Sequence, residues 1–438
     1  MTRFRREART TFRSLRVRNY RLYFTGQLVS VSGTWMQSVA LAWLVVRYLA
    51  PRGQAGLDVG FSTALQFLPM LLAGAWGGLA ADRLDKRTVL FCTQSVAGLQ
   101  ALLLGILVLH GHGAAGGAHL WEVYVLSLLL GFVNLFDNPA RQTFVVEMVG
   151  KDDLPNAVSL NSIVMNGARV IGPALSGILI ATVGLGVCFL ANAASYGAVI
   201  VALAAMRRHE LHPAERVARG KGQLREGLRY AWGNPYLRDV LLLVFVVGLL
   251  AYNFNVILPL LARQTFGGGA ATFATLTSLM AGGAVVGGLV VANRGNPNIH
   301  RLTAIGMVFG VLIAAVALSP TLAVAGALLV VMGALSLSFI ATANSTIQLR
   351  VEPTMRGRVM ALYAMGFLGT TPLGAPLVGW ISQVSSPRVA LLIGAVATAL
   401  SSAAIALRHR AGHRRLAASA AAAPGPAEGE PGTELGVA

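Results

Sequence analysis

The sequence predicts an all-α integral membrane protein with twelve transmembrane helices, and composition and span length carry this prediction. Of its 438 residues, 55% are hydrophobic and 12% are charged, with a mean hydropathy of +0.65, whereas a soluble domain carries about 25% charged residues. A bilayer-crossing helix needs about 20 apolar residues, so twelve helices use little more than half of the chain. This composition excludes a secreted enzyme, a disordered chain and a nucleic-acid-binding domain.

Twelve apolar runs can be drawn along the chain. The predicted spans are 22–46, 57–80, 89–109, 120–140, 157–182, 186–206, 238–261, 272–292, 302–319, 322–344, 358–383 and 388–407. Most of them contain Gly, Ser and Ala, which let helices approach closely where lipid gives no hydrophobic drive to pack. The ends of spans 2 and 8 are similar, at 77–83 and 287–294, which predicts two pseudo-symmetric six-helix bundles.

The basic residues alternate from loop to loop. With the N-terminus inside, 30 Lys and Arg residues fall in inner segments, four in outer loops and one, Arg169, within a span. The positive-inside rule therefore predicts that both termini are cytoplasmic. It also accounts for the net charge of +18 without nucleic acid.

The long basic loop between spans 6 and 7 divides the chain. We expect a cytoplasmic basic arm at 1–21, bundles at 22–206 and 238–407, a central loop at 207–237 and a disordered cytoplasmic tail at 408–438. The central loop contains an apolar helical face with arginines beside it, which is typical of an amphipathic helix at the membrane interface.

The loop between spans 2 and 3 carries the most specific motif of the chain. Its sequence at 78–87 resembles the Gly-x-x-x-Asp-Arg-x-Gly-Arg-Arg signature of the major facilitator superfamily. The resemblance implies a cytoplasmic latch between the two bundles, formed by Gly78, Asp82, Arg83, Lys86 and Arg87. Asp85 replaces a glycine of the signature. The alternative is a basic loop that only fixes topology.

Further stretches at 136–142, 153–157 and 167–177 are similar to the branch of this superfamily that holds the enterobactin exporter and the macrolide efflux proteins. Gly172, Pro173 and Gly177 match part of the helix 5 antiporter motif of drug exporters, although Ala168 and Ser176 replace two of its glycines. The branch implies export of a siderophore, an antibiotic or another drug-like metabolite, and the helix 5 motif favours proton antiport.

Three charged residues are candidates for coupling. Arg169 lies roughly 20 Å along span 5, where a charge is costly and usually faces a partner or a wet cavity. One interpretation is that Arg169 contacts an anion or substrate, or forms a conformational latch. The alternative is a structural arginine bonded to backbone carbonyls. Asp137 is placed near the cytoplasmic end of span 4, where it is the best candidate for the proton carrier. Arg141, one turn away, can pair with it.

Helices 1, 4, 7 and 10 line the central cavity in the superfamily, and polar residues occur on them here at helical spacing. With Asn166 of span 5, the cavity candidates are Gln27, Ser30, Thr34, Trp35, Gln37, Asn134, Asn138, Tyr252, Asn255, Ser338 and Thr342. Such a cavity suits a bulky, partly apolar solute. The alternative is that they hydrogen-bond between helices. Asp58 and Glu122, at outer helix ends, are expected to be interfacial caps.

These observations predict a monomeric secondary transporter of the bacterial inner membrane that exports a small molecule by alternating access. The sequence contains no phosphate-binding loop, so we do not expect ATP to drive transport. The expected partners are the lipid bilayer, a small-molecule substrate and a proton, with no cofactor, metal or nucleic acid. An importer or facilitator of a small metabolite is the alternative, and a non-transporting scaffold or sensor is a weaker one. Clustered acids or metal ligands at depth, which a membrane enzyme needs, are absent from the sequence.

Overall fold

The computed structural model describes residues 12–50, 53–110, 117–212, 223–292 and 297–421, without the side chains of 75–82, 151, 223–224, 289–292 and 412–421. Twelve helices in these ranges are long and apolar enough to cross a membrane, which confirms the predicted fold class. In chain order, α1 to α12 are Arg18–Leu49, Ala55–Gly74, Lys86–Leu109, Leu120–Gly150, Asp152–Thr182, Leu185–Ala204, Pro235–Thr265, Ala270–Gly288, Ile299–Ala317, Leu322–Arg350, Pro353–Val384 and Pro387–Ala411.

Several helices are longer than their apolar runs. The α4 helix continues ten residues beyond the predicted end at 140. Its last turns are amphipathic rather than uniformly apolar, so the apolar run is shorter than the helix. It ends at Gly150, whose φ of 71° is a conformation that glycine adopts without steric cost. α5 begins two residues later, so these two helices are joined by a very tight turn.

Because the number of spans is even, α1 begins and α12 ends at the same face, which we call the termini face; the opposite one is the far face. The bundles α1–α6 and α7–α12 meet mainly where α2 packs on α11 and where α5 packs on α8. Near the far face, Trp43 stacks on Phe273 at 6.4 Å between ring centroids. Arg263 donates a hydrogen bond to the carbonyl of Val46 there.

The contacts between bundles reach the middle of the molecule and go no further in the part that the structure describes. The backbone N–H of Leu57 donates to Gln383 near the far face, and Ser278 donates to the carbonyl of Val170 near mid-span. Between described residues, no hydrogen bond or ion pair joins the bundles on the termini side. Among the described residues, the contacts between the bundles are therefore concentrated between the far face and mid-span.

Two helices of the second bundle are broken near their middle. α7 passes through a π-helical turn at Val247–Ala251, leaves helical geometry at Tyr252 and Asn253, and resumes at Phe254. α11 consists of Pro353–Phe367 and Thr371–Val384. The breaks contact each other, because a Cβ on Gly248 would lie 2.7 Å from Oγ1 of Thr370.

The loop between the bundles contains the predicted amphipathic helix at Gln223–Gly233, which we call the linker helix. It packs on the start of α11, where Glu226 forms an ion pair of 2.7 Å with Arg358 and Ala231 is fully buried. Leu228 and Trp232 remain exposed, as expected of a helix at a membrane interface.

The segment predicted to be disordered from residue 408 begins as a helix, since α12 continues without a break to Ala421. Arg408 and His409 bind the buried carboxylate of Asp239 at 2.9 and 3.1 Å, which fixes the first turns of this extension. Alanine, which is abundant there, is the best helix former. Residues 422–438 lie outside the described ranges.

Candidate functional site

The latch motif is described in part, because the side chains of Gly78 and Asp82 lie outside the described set. Arg83 is exposed. Lys86 pairs with Glu147 of α4 at 2.5 Å, and Arg87 donates to the carbonyl of Leu203 at the end of α6, at 2.7 Å. The described contacts of the motif thus stay within the first bundle.

Asp85, which replaces the signature glycine, caps α3. Its carboxylate accepts a hydrogen bond of 2.7 Å from the backbone N–H of Thr88. Desolvation opposes its ionisation, but the hydrogen bonds from Thr88 and the charges of Arg208 and Arg87 prevail and lower the pKa of Asp85. A charged cap at the first turn of a helix also interacts favourably with the helix dipole.

Asp137 and Arg141 form an ion pair on α4, as their spacing predicts. Oδ2 of Asp137 accepts from Nη2 and Nε of Arg141 at 2.5 and 3.0 Å. Oδ1 accepts from Thr93 and Gln94 of α3 at 2.8 and 2.7 Å. Arg141 also donates to Oε1 of Gln27 on α1. The carboxylate is 2% exposed and fully hydrogen-bonded, so α1, α3 and α4 meet at this pair.

The position of Asp137 differs from the expectation that it lies near the end of its span. Because α4 runs to Gly150, Asp137 is about 20 Å from that end and about 25 Å from Leu120. The pair is therefore near the middle of its helix. The sequence missed this depth because the turns after residue 140 are polar enough to be taken for a loop.

A cluster of amides inside the first bundle includes another cavity candidate. Gln37 donates to Gln100 at 3.0 Å and accepts from Asn192 at 2.8 Å. Ser195 in turn donates to Oδ1 of Asn192 at 2.9 Å. These side chains are buried and join α1, α3 and α6. Gln37 thus forms hydrogen bonds between helices, as the interhelical alternative expects.

The remaining polar candidates are dispersed. Thr34 contacts the hydroxyl of Tyr196 at 3.2 Å, while Asn166 and Ser338 donate to carbonyls of their own helices. Ser30 and Thr342 are buried, Asn134 is half-buried, and Asn138 and Asn255 are exposed. These placements neither assemble the candidates into one cluster nor assign a solute to them.

Asp58 lies in the first turn of α2, close to the contact between α2 and α11. Its Oδ1 accepts from the hydroxyl of Tyr124 at 2.9 Å, whereas its buried Oδ2 has no partner among the described atoms. Glu122 accepts from the backbone N–H of His119 at 2.7 Å and so caps α4, as expected.

Arg169 is half-buried on α5 near the middle of its span. Its guanidinium carbon lies 4.9 Å from the ring centroid of Trp35 on α1, a cation–π contact. Its charge also acts on the phenol of Tyr252, which belongs to the other bundle. Arg169 therefore contacts α1 and also lies within electrostatic range of the second bundle.

Sequence reasoning missed the aromatic residues behind Tyr252. The ring of Phe367 lies 4.8 Å from that of Tyr252 at 63°, and Tyr363 stacks on Phe367 at 6.4 Å. Tyr363 and Phe367 are four residues apart, so they share one face of a helix, and this spacing is the signal that could have identified them.

The helix 5 motif places two glycines at close contacts. A Cβ on Gly172 would lie 2.5 Å from that of Trp35, and one on Gly177 would lie 2.7 Å from that of Ala274 on α8. Pro173 is buried between them. The motif thus holds α5 tightly against α1 and, across the bundle interface, against α8.

Comparison with known proteins identifies the family to which this architecture belongs. Residues 9–428 match the model of a family of the major facilitator superfamily described as transmembrane secretion effector. The chain belongs to this family. It is thus a transporter of the major facilitator type and a multi-pass membrane protein, and its resemblance to the enterobactin exporter branch is confirmed.

Named relatives span most of the chain. It is 22% identical to the staphyloferrin A transporter of Staphylococcus aureus over 83% of its length and 89% of the relative's. For the multidrug efflux pump Tap of Mycobacterium tuberculosis these values are 29%, 82% and 85%. For the enterobactin exporter EntS of Shigella flexneri they are 23%, 84% and 86%.

The fold is also that of solved transporters. A bacterial homologue of the human lysosomal transporter Spinster, crystallised in an inward-facing and unoccupied conformation, superposes with a TM-score of 0.68. The two chains are 14% identical, and the match covers 89% of this chain and 97% of the other.

Proposed function

We propose that this transporter exports a small molecule from the cytoplasm of a bacterium by alternating access, as a monomer in the inner membrane with both termini cytoplasmic. The observation that carries the proposal is the distribution of contacts between bundles, which runs from the far face to mid-span. A 30-to-4 excess of basic residues on the termini side supports placing that side in the cytoplasm. The structure then corresponds to an inward-facing state.

The nature of the cargo is supported by the relatives. Those named after a siderophore and those named after multidrug efflux are equally extensive matches. A siderophore, an antibiotic or a similar metabolite is therefore the proposed cargo. Import or facilitated entry of a small metabolite is the alternative, because alternating access serves either direction.

The proposed counter-ion is a proton, and Asp137 is its proposed carrier. In the inward-facing state the carboxylate accepts hydrogen bonds from Thr93, Gln94 and Arg141. Arg141 is also bonded to Gln27 of α1. A step of the cycle that turns the side chain of Arg141 away from Asp137 would remove the ion pair and let the carboxylate bind a proton. Arg169 would remain as a fixed positive charge.

Transport and its direction can be tested in cells that express the full chain. Ethidium, enterobactin and staphyloferrin A are loaded separately, and their retention is compared with that in cells lacking the protein. We expect faster loss of at least one probe, and this loss should stop when a proton uncoupler is added. Increased retention would indicate an importer, and unchanged retention of all three would favour the scaffold alternative.

Alternating access can be tested by locking the far face. Arg47 lies close enough to Arg263 for their charges to interact, so Arg47→Cys and Arg263→Cys are combined after Cys92→Ala and Cys188→Ala. A short reducible bifunctional thiol reagent should abolish export of the probe, and reductant should restore it. The single-cysteine variants are the controls. Undiminished export by the cross-linked protein would refute alternating access at this face.

A further inference from the structure

Arg169 carries a positive charge near the middle of its span, and it has no anionic partner among the described residues. Its guanidinium forms no ion pair and no hydrogen bond with any described residue, and its contact is the face of Trp35. The alternative of a structural arginine bonded to backbone carbonyls is therefore not what the described residues form. An arginine that projects from a transmembrane helix normally finds a partner, because an isolated charge there is costly.

Three acidic side chains buried within the spans are already bonded elsewhere. Asp137 is paired with Arg141, Asp239 binds Arg408 and His409, and Asp58 accepts from Tyr124. None of these carboxylates is left to neutralise Arg169.

The contact with Trp35 leaves the hydrogen-bonding edge of the guanidinium unused. A cation–π contact is not a hydrogen bond, so the five N–H donors of the guanidinium have no hydrogen-bond partner among the described residues. These donors match the two oxygens of a carboxylate, a sulfonate or a phosphate. Arg169 therefore offers an anion both a charge and a directional set of donors.

The second bundle carries a group of aromatic side chains at the break of α7. Tyr252 is half-buried at the break of α7, and its hydroxyl donates weakly to Ser336 at 3.4 Å. Phe254 and Phe367 hold its ring edge-on, at 5.1 and 4.8 Å between centroids. With Trp35 on the first bundle, these rings present flat apolar surface on both sides of the interface.

We infer that Arg169 is the anion-binding residue of the transport site, and that the cargo is a solute with an acidic group beside a flat, apolar or aromatic body. The acidic group binds the free edge of Arg169, and the body packs on Trp35, Tyr252 and Phe367. A cationic solute is disfavoured by the same charge. This inference rests on the proposed function and specifies the substrate class of that site.

Binding of three matched probes tests the charge preference without any gradient. 2-Naphthoate, 2-naphthamide and 2-naphthylmethylammonium share one ring system and differ in charge. We expect the purified full-length protein at pH 7 to bind naphthoate about 10-fold more tightly than the amide, as the loss of a charge-assisted hydrogen bond implies, and the cation most weakly. Equal affinities, a preference for the cation, or no measurable binding of naphthoate would overturn the inference.

Two substitutions locate the preference. Arg169→Gln should bring naphthoate to the affinity of the amide, whereas Arg169→Lys should keep a preference for the anion. Arg356, exposed on the termini side, provides the control, and Arg356→Gln should bind as the wild type does. If Arg169→Gln still binds naphthoate more tightly than the amide to the same degree as the wild type does, the assignment is overturned. If that variant does not fold, the order of the three affinities in the wild-type protein decides the test. If naphthoate binds through Arg169 but export fails in cells, the proposed function fails and the binding site stands.

Discussion

Gly172 of α5 and Gly374 of α11 occupy equivalent positions in the two bundles. Each lies against the first helix of its own bundle: a Cβ on Gly172 would be 2.5 Å from that of Trp35, and one on Gly374 would be 2.2 Å from the carbonyl oxygen of Leu249. α5 and α11 thus approach the first helices of their own bundles in the same way.

The relation extends to the interface between bundles. Five residues after each of these glycines, Gly177 and Gly379 face the opposite bundle. A Cβ there would be 2.7 Å from that of Ala274 and 2.2 Å from the carbonyl oxygen of Gly56, respectively. One glycine of each pair thus sets packing within a bundle, and the other sets packing between bundles.

Gly172→Ala and Gly374→Ala should each reduce both thermal stability and transport. The added methyl group must displace atoms that have no room to move, and overpacking of this kind costs roughly 1–3 kcal/mol. Gly167→Ala and Gly366→Ala, on the same two helices, are matched controls because no atom lies within 4 Å of their Cβ positions. The melting temperature of the purified variants is the measurement. Equal melting temperatures for all four would contradict the packing argument.

Asp137→Asn should destabilise the protein and uncouple it. The substitution leaves the largely buried guanidinium of Arg141 without its counter-charge, and removing one partner of a buried pair costs about 3–5 kcal/mol. Cargo binding should persist, but a pH step should no longer drive accumulation in liposomes. Asp58→Asn serves as a control: it removes a charge whose Oδ2 is unpartnered, so its melting temperature should match or exceed that of the wild type. pH-driven accumulation by Asp137→Asn would show that another group carries the proton.

Asp82→Asn should abolish most transport while the protein remains in the membrane. The family motif implies that this carboxylate has partners in one state of the cycle only, so its loss changes the balance between states. Asp85→Asn is the control, because asparagine also caps helices well. Its transport should be close to that of the wild type at neutral pH. If Asp82→Asn transports at the wild-type rate, the loop serves topology alone.

Single cysteines should report the orientation of the two faces. His119 is exposed before α4 and Thr354 at the start of α11, on opposite faces of the bundle. After removal of Cys92 and Cys188, His119→Cys should react with an impermeant maleimide in intact cells. Thr354→Cys should react only after permeabilisation. The reverse pattern would place the termini outside and turn the inward-facing assignment around.

The twelve helices could be predicted because a membrane span is set by local composition over about 20 residues. The pairing of Asp137 with Arg141 could also be predicted, because it depends on spacing within one helix. The bonds of Gln37 to Gln100 and Asn192 could not be, because they join three helices whose arrangement is absent from the local sequence. The sequence around 252–253 contains little that predicts the break in α7, whereas Gly369 and Pro372 indicate the break in α11.

The mid-span breaks give the two bundles different mechanical properties. The counterparts of α7 and α11, which are α1 and α5, run through the middle of the first bundle without interruption. Within these four helices, bending strain during a conformational cycle should therefore concentrate at 252–253 and 368–370 of the second bundle. Tyr252 lies in the first of these breaks and Phe367 directly before the second. Any bend there would reorient the rings that would hold the cargo, so that cargo release would be coupled to the conformational change.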